Sequence, residues 1–192
     1  MNRPVLVLFL LNFVYIGILP RVFFRKDGSF NLKWWVTAAP FFICATYLVC
    51  CFYGIVQPIT GYHSRVSAWL EIAAVPFSIA SIGLISFTLG THRVPVSLWH
   101  QDNDGPGHLV TFGAYARIRH PFYASFLLAL LGALVLSPHP VTALAFSFGF
   151  IVLAITAAGE EKRLLLSRFG ADYHRYMNRT GRFLPVWRGS NG

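Results

Sequence analysis

The sequence predicts an all-α integral membrane protein with about five transmembrane helices. Three observations carry that expectation. Hydrophobic residues make up 55% of the chain and charged residues only 12%, where a soluble domain carries roughly 25% charged residues. The apolar residues gather into runs of helical membrane length, separated by short polar segments. All but Arg3 and Arg65 of the 16 Lys and Arg residues fall in segments that alternate crossing would place on one side, as the positive-inside rule expects. The 192 residues suit one domain, 1–192, in two parts. Residues 1–90 hold three N-terminal spans, and 91–192 hold the polar residues.

The first run is Val5 to Leu19, closed by Pro20. It resembles a signal peptide, but Arg21, Arg25 and Lys26 follow it instead of a small-residue cleavage site, so it reads as a retained helix. Trp34 to Val56 is long enough to cross, with Trp34 and Trp35 as interfacial anchors at its start. The third run, Val66 to Leu89, contains Pro76 and an acid, Glu71, near its beginning. Glu71 reads as an interfacial carboxylate reaching water. Residues 90–120 form the one long polar segment, with His92, His100, His108 and His120 and the turn-forming stretch from Asp102 to Gly107. A loop of this length in a compact protein is usually functional.

The fourth run, Phe122 to Leu136, is broken by Ser137-Pro138-His139-Pro140, and the fifth, Val141 to Ala158, returns. So tight a break predicts an antiparallel helical hairpin with both ends on one side. That geometry would bring Arg119-His120 close to Glu160-Glu161, and the charge bias places both pairs at the cytoplasmic face. From Glu160 to Met177, apolar residues at Leu165, Phe169, Tyr173 and Tyr176 alternate with cations at helical spacing. This stretch is expected to be an amphipathic helix leaving the membrane or lying on it. The ordered part is expected to end with Thr180 to Pro185.

The net charge of +9 does not point to nucleic acid, because the cations sit between apolar runs and no reader motif accompanies them. Cys44, Cys50 and Cys51 share one apolar run without CxxC spacing or a nearby His. They read as small apolar residues of a membrane helix, and no metal site is expected.

Two clusters carry chemistry. In the first, HLVTFGAYARIRHPFY from His108 to Tyr123, Pro121 suits the first position of a helix, whose free amides would favour an anion next to Arg119-His120. Arg119 offers a fork of donors for a carboxylate. Tyr115 and Tyr123 supply flat faces for a ring or a cation. Gly113 lets the backbone approach a ligand. The second cluster, Glu160-Glu161, suits a ribose diol, an amine or a sulfonium. The residues alone leave a plainer account open: interface anchors beside the start of an exposed tail helix.

The order HLVTxGxYxxxRHPxY, hairpin, EE, FGxxYxxY, TGRFLP resembles the isoprenylcysteine carboxyl methyltransferases and the related phospholipid methyltransferases. The resemblance covers about residues 105–187. It implies S-adenosylmethionine as cofactor and methyl transfer to a lipophilic acceptor at the membrane face. It implies cofactor binding by His108, Leu109, Val110, Gly113, Tyr115, His120, Pro121, Tyr123 and Glu160, with Arg119 and Glu161 as the catalytic pair. Counted back from Phe169-Gly170, Glu161 fits the family's acidic pair better than Glu160, and Lys162 stands where the other acid belongs.

Methyl transfer from a sulfonium is an in-line displacement in which the protein mainly positions and desolvates. A carboxylate acceptor could be held by Arg119. An amine acceptor would need a base, Glu161 or His120. A phospholipid amine or a small thiol are the alternative acceptors to a prenylcysteine carboxylate. A membrane reductase using NADPH is a further alternative. Ala124-Ser125 follow Tyr123, where such reductases carry Gly-Glu, and no dinucleotide fingerprint is present. A non-catalytic scaffold or transporter is disfavoured by the lack of repeats.

Overall fold

The computed structural model describes residues 2–18, 28–56, 64–91 and 109–186. These form six α-helices: α1 (Arg3–Ile18), α2 (Leu32–Phe52), α3 (Ser64–Thr91), α4 (Pro121–Leu136), α5 (Pro140–Leu165) and α6 (Gly170–Met177). A 3-10 turn spans Gly113–Ala116, and no strand occurs among the described residues. Three stretches are long and apolar enough to cross a membrane: Trp34–Phe52, Val66–Thr91 and Pro140–Leu165. The apolar helices α1 and α4 have 16 residues each. That is about 24 Å of rise against a hydrocarbon core of about 30 Å.

Polar contacts fix how α1 and α3 lie. Asn2 donates from its backbone N and its Nδ2 to Glu71 (3.0 and 2.7 Å). Asn12 Nδ2 donates to Ser78 Oγ (3.0 Å), and Ser81 Oγ donates to Asn12 Oδ1 (3.2 Å). Tyr15 OH pairs with Ser86 Oγ (3.1 Å). The sequence offset barely changes along the pair, so α1 and α3 run parallel. The chain between them must return, and α2 is the returning helix. Glu71 therefore does not reach for water. It is 8% exposed and accepts from the amino end of α1, where unpaired donors and the helix dipole favour a carboxylate.

The centre of the bundle is α4. Twelve of its 16 residues are buried, from Pro121 to Leu136. It packs along α3 and touches α5, α2 and α1. Phe41 meets Phe126 edge to face at 5.6 Å. Gly132 lies against Phe77 and Phe9, and Gly149 of α5 lies against Leu130 and Pro40. A helix apolar on every side has no polar face to give to solvent, so it is enclosed by its neighbours.

Three residues separate α4 from α5. His139 caps α5, its Nδ1 accepting from Val141 N (3.2 Å), while Thr142 Oγ1 accepts from His139 N (3.2 Å) and donates to Ser137 O (2.7 Å). Tyr47 of α2 bonds to Ser137 Oγ (3.0 Å) and stacks on His139.

The amphipathic segment differs from its expected bounds. α5 continues through Glu160-Glu161 to Leu165, where Lys162 and Arg163 in its last turn complement the helix dipole. The chain then turns at Ser167, whose Oγ donates to Leu164 O (2.7 Å). Gly170 passes so close to Leu165 O that a Cβ would collide with it. The separate amphipathic helix is only α6, with Tyr173 and Tyr176 buried on one side.

Candidate functional site

The residues before α4 are set in place from two directions. Gly113 has φ +60° and lies against the Thr91 side chain at the end of α3, with no room for a Cβ. Ala114 N donates to Thr91 Oγ1 (3.2 Å). From the other side, the segment after α6 returns alongside residues 117–120. Ile118 and Gly181 form an isolated parallel bridge. Gly181 N donates to Arg117 O (3.1 Å), Arg119 N to Gly181 O (2.8 Å) and His120 N to Arg182 O (3.0 Å). Tyr176 OH donates to Tyr115 O (2.7 Å), and Thr180 Oγ1 to Tyr176 O (2.8 Å). Burial pushes the Tyr176 hydroxyl up to about 12 and raises Tyr115 and Tyr173 as well.

These constraints gather the two polar clusters at one point. Glu161 accepts from Arg119 Nε (3.0 Å), Arg182 Nε (3.1 Å) and Arg182 Nη2 (2.5 Å). The Glu161 carboxylate in turn raises the Arg182 guanidinium further above its ordinary value. Arg119 Nη1 donates to Met177 O (3.1 Å) and to Thr180 O. Arg119 therefore ties α5 to the returning segment. Glu160 accepts from Tyr123 OH (2.7 Å). His120 lies between the acids: Nδ1 is 3.5 Å from Glu160 Oε2, and Nε2 is 3.3 Å from Glu161 Oε1. Its ring is parallel to that of Tyr123 at 5.3 Å, with Phe183 edge-on at 6.3 Å.

Of the residues singled out from sequence, Arg119, His120, Tyr123, Glu160 and Glu161 thus share one cluster. Pro121 begins α4 beside it and is fully buried. Tyr115 joins through its carbonyl. Leu109 and Val110 are half-buried in the segment leading to the 3-10 turn, and Gly113 contacts Thr91 instead of the acids. His108 lies outside the described residues. Arg182, Thr180 and Phe183 complete the cluster and were missed as site residues. The signal was the Thr-Gly-Arg-Phe sequence itself: Gly181 leaves no room for a Cβ beside Leu184 O, and a cation follows at once. Nothing in the linear sequence pairs that cation with Glu161.

The two acids differ. Glu161 is neutralised by two guanidinium groups. Glu160, 14% exposed in its side chain, has no Lys or Arg within ion-pair distance among the described residues. No grouping of His, Cys, Asp and Glu suited to a metal ion occurs among the described residues. The cluster therefore holds one carboxylate paired with two guanidinium groups and one whose described partners are Tyr123 and His120.

Comparison of the chain with family models, with curated proteins and with solved structures gives no match.

Proposed function

We propose that this chain is a membrane methyltransferase that uses S-adenosylmethionine and acts on a lipophilic acceptor at the cytoplasmic face. The observation that carries this reading is Glu160. A largely buried carboxylate with no Lys or Arg partner among the described residues is costly, and it suits a ligand that brings positive charge. The parallel faces of His120 and Tyr123 beside it attract cations as well. A sulfonium is such a cation, and the sequence resemblance implies one. When bound, the cofactor supplies a methyl group already activated on sulfur.

In this reading Glu160, His120, Tyr123 and Tyr115 hold the cofactor, with His108, Leu109, Val110, Gly113 and Pro121 contributed by the segment before α4. Glu161 and Arg119 fix the position of that segment against α5. A carboxylate acceptor had Arg119 as its expected holder, but Nε and Nη1 of Arg119 are engaged by Glu161, Met177 and Thr180. α1 to α5 cross the membrane, α4 and α5 form a hairpin, and α6 lies at the surface.

A lipophilic acceptor also fits a line of rings. Phe146 and Phe150 are 6.4 Å apart, Phe150 and Phe183 6.2 Å, and Phe183 and His120 6.3 Å. Phe150 is 45% exposed on α5, so an apolar tail could pass from lipid along these rings to the cluster.

The test is calorimetric titration of the full chain in detergent with S-adenosylhomocysteine and S-adenosylmethionine. Micromolar binding of S-adenosylmethionine is expected. Glu160→Gln should weaken it by at least tenfold, about 1.4 kcal/mol, and weaken S-adenosylhomocysteine, whose sulfur carries no charge, less. A folded protein that binds neither at millimolar ligand sinks the proposal, and binding of NADPH instead would favour a reductase.

A further inference from the structure

The carboxyl end of α6 is cationic and exposed. Between Phe169 and Val186 the chain has one acid, Asp172, against Arg175, Arg179 and Arg182. Arg182 is held by Glu161. Arg175, Asn178 and Arg179 are exposed. Among the described residues, these three line an open cleft of about 490 Å³, within the roughly 300–1,000 Å³ of small-ligand sites.

The free carbonyls at the end of a helix normally favour nearby cations. Those of α6 are engaged inside the protein. Met177 O and Thr180 O accept from Arg119 Nη1, Tyr176 O from Thr180 Oγ1, and His174 O from Asn178 N. Asp172 accepts from Arg175 Nη2, but the two side chains are 61% and 75% exposed, and so wet a pair holds weakly. Arg179 pairs with no acid among the described residues. The cleft thus presents two guanidinium groups to an outside anion.

The height of the cleft selects that anion. Arg119, whose side chain holds Met177 O and Thr180 O, stands just before Pro121, the first residue of α4. His120 N donates to Arg182 O, and Ile118 bridges to Gly181. Residues 177–182 are therefore level with the first turn of α4, where an apolar helix leaves the bilayer. Leu184 and Val186 follow, 76% and 46% exposed. Exposed aliphatic side chains beside arginines at that level suit the boundary between headgroups and acyl chains. A guanidinium fork matches phosphate geometry, and the Asn178 amide adds donors.

The geometry points to a lipid site: the cleft of Arg175, Asn178 and Arg179 holds the phosphate of a phospholipid of net negative charge, from the leaflet on the side of the cluster. Leu184 and Val186 lie against its chains. This lipid is a ligand of the surface and not the methyl acceptor. The site depends on α4 and α5 lying in a membrane and on no cofactor.

Calorimetric titration of the full chain in an uncharged detergent tests this without turnover. The probes are dihexanoylphosphatidylglycerol, dihexanoylphosphatidylcholine and inorganic phosphate. The anionic lipid should bind saturably, and the other two at least about tenfold more weakly. Arg175→Gln combined with Arg179→Gln should lose at least about tenfold for the anionic lipid. Arg3→Gln combined with Lys162→Gln removes the same charge elsewhere and should lose less than about threefold. Asp172→Asn removes the acid beside Arg175 and should tighten binding, a gain that a misfolded protein cannot show. Equal binding of the two lipids overturns the inference, and so does phosphate binding as tightly as the anionic lipid. Equal losses in the two double variants mean diffuse attraction to a basic protein, and also overturn it. Unchanged or weaker binding in Asp172→Asn does the same. None of these readouts involves S-adenosylmethionine, so the lipid site and the methyltransferase reading stand or fall separately.

Discussion

The α1–α3 pair and the α4–α5 end treat buried polar groups in opposite ways. Between α1 and α3, Asn12, Ser78 and Ser81 answer one another with neutral hydrogen bonds, and Glu71 receives the amino end of α1. At the α4–α5 end, Glu161 is likewise answered, by Arg119 and Arg182. Its neighbours are answered less fully: Glu160 lacks a Lys or Arg among the described residues, and His120 Nε2, 3.3 Å from Glu161 Oε1, makes no hydrogen bond there. Both regions bury polarity of similar type. Incompleteness, not polarity, separates the candidate site from a structural knot.

Substitutions can break that comparison, beginning with the largest expected effect. Glu161→Ala removes the carboxylate partner of the buried Arg119 and of the partly exposed Arg182 and cuts the tie between α5 and the returning segment. It should destabilise the protein by about 3–5 kcal/mol. Thermal unfolding in detergent measures this, and limited proteolysis should show early cleavage beyond Met177. A change below about 1 kcal/mol would place Glu161 among the weak surface pairs.

Asn12→Leu removes the neutral knot and should cost only about 1 kcal/mol, as inter-helix hydrogen bonds in membranes do. It should leave binding of S-adenosylhomocysteine unchanged. A large loss of binding would show that the knot and the site are not separate. Smallest is Arg175→Ala. The pair with Asp172 is exposed on both sides, and its removal should move stability by less than about 0.5 kcal/mol.

The sequence announced the parts of the site better than their connections. Apolar runs located α1 to α4 to within a few residues, because hydrophobicity is a local property, but α5 runs on past Ala158 to Leu165. The pairing of Arg119 with Glu161 followed from one short break at residues 137–139. The role of the returning segment was hidden, since Arg182 meets Glu161 only after Ser167 and Gly170 have reversed the chain. Glu71 was misjudged for a similar reason: its partner, Asn2, is distant in sequence. α4 read as a short membrane span, and its length carried a second message. A 16-residue helix with no polar face is also what a bundle core requires.

The bridge between Ile118 and Gly181 sets an order of events during biosynthesis. Gly181 is translated after every residue of α1 to α5, so the segment from Arg117 to His120 waits, without its backbone partners, until the bundle is otherwise in place. The backbone partners of this segment are thus among the last described residues to be made, after all five apolar helices.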